Sequence, residues 1–442
     1  MTLSWSHPTV RPVVRAVVDG VRRQMGARFD RQVAEQLNRD QVAELIADEV
    51  RRLRTDDSGL LPATMTPDGR NAVWATALHA ALAELVGLGR LQPLLDDDLT
   101  DAHINGCDQV WVVRADGSKH RADPVADSDA DLLELGRTIS RRYGQEGEQE
   151  WSETSPTAEV TLTSGHRVEL VRDVTLRPSI TIRRLDLSIF RVSQLVGLGT
   201  LHEAVADFLS AAVRYGCNLL VAGGTGAGKT VTTRCLINEI PPAERVITIE
   251  DVRELAVTDP RTVDRDGNRL HPDAVEILTR RPNAEGAGGF SLADGLRASK
   301  RMNPDRLIVG EVRSVEASDM IDAMLGEAGG SLCTVHAASA RAALDRLVYL
   351  AANSSQLTES TARKMVADAV DLVVWQRRDP ATGRRYVAEV IEIDGVDDGV
   401  LALHEAYRTD TAGRLVVADG PTLRLHQRLV EHGWITPVRQ VG

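Results

Sequence analysis

The residues with the clearest chemical potential form one short run that is rich in glycine. The run matches the pattern G-x-x-x-x-G-K-[ST] at every position and lies between an apolar stretch, 218–222, and a helical stretch, 231–240. Its members are Gly223, Gly224, Thr225, Gly226, Ala227, Gly228, Lys229 and Thr230. Glycines let successive backbone N–H groups converge on phosphate oxygens, and the N-terminus of the following helix adds partial positive charge. The run therefore predicts a phosphate loop, in which Lys229 reaches the β- and γ-phosphates of a nucleotide and the Thr230 hydroxyl binds Mg²⁺.

A second signal is an acidic residue that follows an apolar strand. Residues 306–309 read Arg-Leu-Ile-Val and lead through Gly310 to Glu311. In phosphate-loop enzymes a carboxylate at such a strand end lies close to the metal and to the attacking water. Because position 310, where many of these enzymes carry aspartate, is glycine, Glu311 is the candidate residue that positions or activates water.

Two more strands end in side chains that fit the same site. The stretch 246–249 runs into Glu250, which we expect to hold water, or Mg²⁺ through a water molecule. The stretch 332–335 runs into His336, whose imidazole is placed to contact the γ-phosphate. A single histidine at a strand end is more often an ordinary structural residue. The position of all these candidates at strand ends is what favours one common site.

The elements that must position these residues alternate between strand and helix through the second half of the chain. Such alternation predicts a parallel sheet with helical crossovers, and ligands bind where the carboxyl ends of its strands meet. We therefore predict an α/β fold with a phosphate-loop domain over 205–442 that ends in a β-rich tail. The expected strands are 217–222, 245–249, 306–310 and 331–335, and the expected helices follow 228 and cover 291–301, 314–327 and 339–351.

Two other regions precede this domain. Apolar residues recur at helical spacing between 11 and 54, and 55–70 has the composition of a linker, so we assign 1–70 to a helical leader and linker. We assign 71–190 to a small α+β domain and 191–204 to the interdomain linker. The expected elements of the α+β domain are a helix at 72–86, a strand at 110–113, a helix at 130–142, a hairpin at 159–170 and a strand at 179–182.

The overall composition argues against a nucleic-acid coat. The 442 residues include 64 acidic and 52 basic side chains, and aromatic residues make up 3%. Proteins that grip nucleic acid usually carry a basic surplus and stack bases on aromatic rings, so we expect no direct nucleic-acid binding. The chain has neither an N-terminal signal-peptide pattern nor an apolar run of about 18 residues. We therefore expect a cytoplasmic protein without a transmembrane segment.

The order of the motifs resembles that of the type II/IV secretion-system ATPases, the motor proteins that assemble pili and drive secretion. The resemblance covers about 87–395, and the helical leader fits the Tad/Flp pilus (CpaF-like) branch. The matching stretches are GGTGAGKT at 223–230, TIEDVREL at 248–255, RRPNAEG at 280–286, MNPDRLIVGEVRS at 302–314 and GGSLCTVHA at 329–337.

The resemblance implies a homohexameric ring that binds ATP between the N-terminal domain and a RecA-like C-terminal domain. It also implies integral-membrane platform proteins as partners, contacted from the cytoplasmic face. By the same analogy, Glu250 belongs to the Asp box, Glu311 to Walker B and His336 to the His box. The family draws arginines onto the phosphates, although a surface or ion-pair role is the simpler interpretation of any single arginine. The arginines at matching positions are Arg167, Arg183 and Arg280.

Two other functions stay open at this point. One is a conjugation-type motor that serves a DNA-transfer apparatus without touching DNA itself. The other is a nucleotide-gated scaffold that does not hydrolyse ATP. The scaffold is disfavoured because a protein that only binds ATP could lose Glu311 without loss of binding.

Overall fold

The structure is a computed structural model that divides the chain into two compact units, Met1–Leu185 and Asp186–Gly442, each with its own fold. The residues that it describes are 5, 7–28, 38–56, 59–95, 99–114, 117–143, 151–162, 164–264, 266–280, 282, 286–326, 329–355, 357–431 and 433–434.

The first unit begins with three helices that pack around a common apolar core. They are α1 (Val10–Arg28), α2 (Arg39–Thr55) and α3 (Pro67–Val86). The apolar stripes of α1 and α2 are buried against each other and against α3, as amphipathic helices require. This confirms the helices expected between 11 and 54, whereas residues 29–37 lie outside the described part of the chain. The Thr66 side chain accepts a hydrogen bond from the Gly69 N–H, so α3 begins at Pro67. This helix, which we expected at 72–86 within the α+β domain, packs in the bundle with α1 and α2.

Within the described residues, no single helix combines the length and the apolar character that crossing a membrane requires. Two consecutive helical stretches, Pro67–Val86 and Gly89–Leu95, are long and apolar enough only when taken together, and they meet at a bend of 116°.

The remainder of the first unit is a six-stranded antiparallel sheet with the order β3-β2-β1-β6-β5-β4. One of its faces is buried against α5, in which Gly136 allows the buried Trp151 to approach closely. The strand, the helix, the hairpin and the final strand that we expected here are confirmed, and β1 and β3 are additional. The elements are α4 (Gln92–Leu95), β1 (Leu99–Asn105), β2 (Val110–Arg114), β3 (Lys119–Ala122), α5 (Asp129–Tyr143), β4 (Thr157–Thr161), β5 (Arg167–Val171) and β6 (Ser179–Arg183).

The second unit is built on a nine-stranded sheet with helices on both faces. Its strands are β7 (Leu219–Gly223), β8 (Val246–Glu250), β9 (Ala274–Leu278), β10 (Arg306–Val309), β11 (Leu332–His336), β12 (Leu372–Arg378), β13 (Arg385–Asp397), β14 (Val400–Thr409) and β15 (Leu415–Ala418). Its helices are α6 (Val192–Gly197), α7 (Glu203–Arg214), α8 (Lys229–Ile237), α9 (Leu292–Ser299), α10 (Glu316–Leu325), α11 (Ala340–Ser355), α12 (Glu359–Ala369) and α13 (Leu423–Glu431).

The strand order of this sheet is that of a RecA-like domain. Six strands are parallel in the order β12-β7-β11-β10-β8-β9, so β11 lies between the strand that precedes the phosphate loop and the strand that precedes Glu311. The strands β13, β14 and β15 continue the sheet in antiparallel fashion and form the β-rich tail. The predicted α/β, RecA-like fold is thereby confirmed, and β9 is a strand that the sequence did not indicate.

The region expected to link the two domains is structured. Residues 191–204 include α6 and the start of α7, and the His202 imidazole caps α7 by accepting a hydrogen bond from the Ala204 N–H. Both helices belong to the second unit, which begins at Asp186. The segment Asp186–Phe190 is therefore the stretch through which the chain enters the second unit.

Candidate nucleotide-binding site

The phosphate loop follows the buried strand β7, and α8 begins at Lys229 directly after it. Gly226 and Gly228 have φ values of 71° and 96°, which side chains other than glycine rarely adopt. Gly223 needs its missing side chain for another reason, because a Cβ atom there would lie 2.3 Å from the Gln376 carbonyl oxygen. The three glycines thus allow a tight loop at the N-terminus of α8, which is the arrangement that binds phosphate groups.

The Lys229 side chain folds back onto this loop. Its Nζ donates to the carbonyl oxygens of Gly223 and Gly224, each at 3.2 Å, and to Nδ1 of His336 at 3.2 Å. The side chain is buried, and burial lowers the pKa of the Lys229 ammonium, while the Glu311 carboxylate opposes that shift. An incoming phosphate would replace two weak carbonyl acceptors with negatively charged oxygens.

His336 connects Lys229 to Glu311. The His336 Nε2 lies 3.2 Å from Oε1 of Glu311, so a neutral imidazole with its proton on Nε2 donates to Glu311 and accepts from Lys229. Burial, and then the nearby Lys229 charge, lower the pKa of His336 and so favour that neutral form. The structure therefore brings together Lys229, His336 and Glu311, which the sequence had placed at the ends of three strands.

Glu311 also contacts an arginine that sequence reasoning missed. Arg313 Nη2 donates to Oε2 of Glu311 at 2.7 Å, and Arg313 Nη1 donates to Asp251 at 3.1 Å. A carboxylate that accepts from a guanidinium on one oxygen and from an imidazole on the other is fixed in direction. The signal available in the sequence was proximity alone, because Arg313 lies two residues after Glu311.

Glu250 is turned away from these groups and onto the loop that follows its own strand. Its Oε1 accepts hydrogen bonds from the N–H groups of Glu254 and Leu255 at 3.1 and 3.0 Å, and its Oε2 has no partner among the described residues. Burial raises the pKa of Glu250 to about 8. A protonated carboxyl is a poor partner for Mg²⁺, so the expected role of Glu250 toward water or metal stays a prediction.

The contact between Glu250 and Gly310 gives the first testable prediction. A Cβ atom on residue 310 would lie 2.9 Å from Cγ of Glu250, so Gly310→Ala is expected to lower the free energy of unfolding by about 1–3 kcal/mol through overpacking. In a Glu250→Ala background the same substitution should cost clearly less, because the obstructing side chain is gone. Urea unfolding of the four proteins measures this coupling. An equal cost of Gly310→Ala in both backgrounds would contradict the contact.

The three arginines implied by the resemblance lie in different parts of the molecule. Arg167 and Arg183 are register partners on β5 and β6 in the first unit, and they pair with Glu159 at 2.6 Å and Asp101 at 2.9 Å. Arg280 belongs to the second unit, where its Nε donates to the Gly288 carbonyl at 2.6 Å. Arg280 also lines a cavity of about 450 Å³, together with Asp251 and Arg313. Contact of any of the three with phosphate stays a prediction.

Two residues, one on β12 and one on β13, contact the phosphate loop or its helix, and sequence reasoning missed both. The buried Gln376 pairs in register with Gly223, and its Oε1 accepts a hydrogen bond from the Thr232 hydroxyl at 2.8 Å. Arg385 Nε donates to the Gly226 carbonyl at 2.9 Å. Both residues reach the loop through strand pairing, of β12 with β7 and of β13 with β12, so no local sequence motif indicates them.

The oxygen donors at this site suit Mg²⁺ that arrives with a nucleotide. No group of three or more His, Cys, Asp or Glu side chains in the described part of the chain is arranged to hold a metal by itself. Mg²⁺ often combines one or two protein oxygens with phosphate oxygens and water. The Thr230 hydroxyl in the first turn of α8 and the Glu311 carboxylate supply oxygens of that kind.

The fold and the site together define a phosphate-loop ATPase of the RecA-like class. Within that class, residues 84–414 match the family described as type II/IV secretion system protein, and the chain belongs to this family. A candidate conjugal transfer protein of Mycobacterium tuberculosis is 30% identical over 357 residues, which cover 75% of this chain and 96% of that protein. The type IV secretion system protein PtlH of Bordetella pertussis is 32% identical over 337 residues, which cover 70% and 95%. The solved ATPase DotB of Legionella pneumophila has a TM-score of 0.49 and 19% identity, covering 77% of this chain and 83% of DotB.

Proposed function

We propose that this chain is a Mg²⁺-dependent motor that hydrolyses ATP as a hexameric ring and powers pilus assembly or secretion from the cytoplasmic side of a membrane. The observation that carries the proposal is the continuous line of contacts from Lys229 through His336 to Glu311. A protein that only bound nucleotide would need the lysine but not a carboxylate oriented toward it. The line therefore supports hydrolysis in addition to binding.

The chemistry follows from the positions of the loop and of Glu311. The backbone N–H groups of the loop and the N-terminus of α8 bind the β- and γ-phosphates, and Lys229 leaves the carbonyls of Gly223 and Gly224 to join them. Glu311 orients a water molecule and accepts its proton as the water oxygen bonds to the γ-phosphorus and the bridge to the β-phosphate breaks. Bound Mg²⁺, held by Thr230, would neutralise charge on the β- and γ-oxygens. His336 contacts both Lys229 and Glu311 and is placed to register the loss of the γ-phosphate.

A ring is proposed because the site needs more positive charge than the loop supplies. Charge develops on the phosphate oxygens during transfer, and cations fixed in advance stabilise it. Arg167, Arg183 and Arg280 are the proposed donors, from the first unit and from neighbouring subunits. A site completed by a neighbour requires a heterologous interface, and the ring that we propose is the closed assembly of such interfaces.

The hexameric ring can be tested directly with a variant that binds ATP and hydrolyses it slowly. In the presence of ATP and Mg²⁺, the Glu311→Gln variant should give a particle with a mass near six times the 48.1 kDa of one chain in multi-angle light scattering. The Lys229→Ala variant under the same conditions is the control without bound nucleotide. Monomers at every concentration of the Glu311→Gln variant would contradict the ring.

The biological process has two candidates. Assembly of a Tad-like pilus through integral-membrane platform proteins is the first, because the helical leader fits that branch. A conjugation-type motor for DNA transfer is the alternative, and the name of the mycobacterial relative favours it. In a strain that lacks the gene, loss of surface pili with normal DNA transfer supports the first, and the reverse result supports the second. Genes for platform proteins and a small pilin, or for a relaxase, beside this gene would point the same way.

A further inference from the structure

The helix after the phosphate loop contains a buried arginine, Arg234, that forms no ion pair within 4 Å among the described residues, although the Asp186, Glu254 and Glu250 carboxylates are near enough to favour its charge. The Arg234 side chain on α8 is 2% exposed, and its hydrogen bonds go to backbone carbonyl oxygens alone. Its Nε has no acceptor in the described part of the chain. Arginine is rarely buried to this extent without an ion pair, since removing its charge from water is costly. The guanidinium instead donates to backbone carbonyl oxygens of two separate segments.

One side of Arg234 holds the segment through which the chain enters the second unit. Its Nη1 donates to the carbonyls of Asp186 at 2.8 Å and Ile189 at 3.4 Å, and the guanidinium lies 5.5 Å from the centre of the Phe190 ring. One turn further along the chain, Asn238 Nδ2 donates to the Phe190 carbonyl at 2.8 Å. The segment Asp186–Phe190 is therefore fastened to the helix of the phosphate loop.

The other side of Arg234 holds the loop that positions Glu250. Its Nη2 donates to the Glu254 carbonyl at 2.9 Å, and the N–H groups of Glu254 and Leu255 are the ones that bind Glu250. Lys229, at the start of the same helix, is five residues before Arg234, or about 7.5 Å along the helix axis. One side chain thus touches the entry segment, the phosphate-loop helix and the loop of Glu250.

We propose that Arg234 is a positioning residue that couples nucleotide binding at the phosphate loop to the docking of the segment Asp186–Phe190. The proposal rests on the proposed function in so far as it requires that the loop bind nucleotide. When phosphate binds to the loop and to the N-terminus of α8, the N–H groups of Arg234 shift relative to the carbonyl oxygens of Asp186 and Ile189. The packing of the segment Asp186–Phe190 against α8 then changes. By linkage, a change imposed on the segment alters nucleotide affinity by the same factor.

A purely structural role makes a different prediction. If Arg234 only stabilised the fold, its loss would lower the melting temperature and leave the effect of nucleotide on the segment unchanged. Arg306 provides the matched control. It is only 4% exposed, lies in the same unit and pairs with Glu244, and none of its described hydrogen bonds reaches the segment. Arg306→Gln should therefore lower stability and keep the response of the segment to nucleotide.

The test is amide hydrogen exchange of residues 186–191 in the full chain, with and without the non-hydrolysable analogue AMPPNP and Mg²⁺. In the unsubstituted protein, AMPPNP should change the exchange rate of these amides at least about threefold. Arg234→Gln should abolish that change while the affinity for a fluorescent ATP analogue stays within about threefold. Arg234→Gln should also lower kcat about tenfold with little change in KM. Arg234→Lys should recover part of the exchange response and part of kcat.

The outcomes separate this proposal from the proposed function. If the unsubstituted protein binds no nucleotide, the proposed function fails and takes the coupling with it. If it binds AMPPNP and the exchange of residues 186–191 does not respond, or if Arg234→Gln keeps the full response, the coupling is wrong and the ATPase assignment stands. Should Arg234→Gln not fold, Asn238→Ala removes one hydrogen bond to Phe190 and should weaken the response, and an undiminished response in that variant would overturn the proposal.

Discussion

Replacement of Lys229 by alanine is expected to reduce ATP turnover by a factor of at least about 1,000, since the electrostatic stabilisation of transferring phosphoryl groups accounts for several kcal/mol. The Lys229 ammonium contacts the phosphate loop, and its partners there are carbonyl oxygens and an imidazole. Alanine leaves the loop with its N–H groups and no mobile cation. Phosphate release measured with saturating ATP and Mg²⁺ gives the turnover.

Lys364 on α12 is the matched control for this variant. Its side chain is exposed, so Lys364→Ala removes an equal charge from the surface and should leave turnover within about twofold. Equal turnover in Lys229→Ala and in the unsubstituted protein would mean that the glycine-rich run is not the working nucleotide site.

The Glu311→Gln variant is expected to lose a factor of about 100–10,000 in kcat while keeping its affinity for ATP, because general-base action is worth roughly that much. Glutamine has nearly the same shape as glutamate and still accepts a hydrogen bond from Arg313, so the surrounding geometry should survive. What it lacks is a carboxylate that can take a proton from water. Single-turnover hydrolysis together with the dissociation constant for a fluorescent ATP analogue distinguishes the loss of chemistry from the loss of binding.

The matched control is Glu359→Gln, at an exposed glutamate that pairs with Arg363 on α12. It removes the same charge and should leave both kcat and affinity within about twofold. Unchanged turnover in Glu311→Gln would disprove the assigned role. Loss of affinity in parallel with turnover would instead make Glu311 a residue that binds nucleotide and not one that acts on water.

The part of the site that could be predicted from the sequence is the part that is encoded locally. The phosphate loop is contiguous, and its flanking strand and helix are visible in the same short stretch. Glu311 and His336 are distant in sequence, yet the rule that the carboxyl ends of parallel strands meet at one edge placed both beside Lys229. The structure confirms that placement through contacts of 3.2 Å on both sides of His336.

The residues that escaped prediction reach the site through tertiary pairing. Gln376 and Arg385 come from strands that follow the loop by about 150 residues. The register of β12 against β7 brings Gln376 to Gly223, and the register of β13 against β12 brings Arg385 to Gly226. Arg234 appeared in the sequence as one cation on a helix, and nothing local indicated that it is buried. The direction of Glu250 was equally inaccessible, because the backbone of the 251–255 loop determines which way the carboxyl turns.

The proposed mechanism requires that Lys229 exchange its present partners for phosphate. A crystal structure of the Glu311→Gln variant with ATP and Mg²⁺ tests this directly. The expected result is a nucleotide in the loop 223–230, with Lys229 Nζ on the β- and γ-phosphates, the Thr230 hydroxyl on Mg²⁺, and the carbonyls of Gly223 and Gly224 released. A nucleotide bound elsewhere, or a Lys229 that keeps its bonds to Gly223, Gly224 and His336 while ATP is present, would contradict the account.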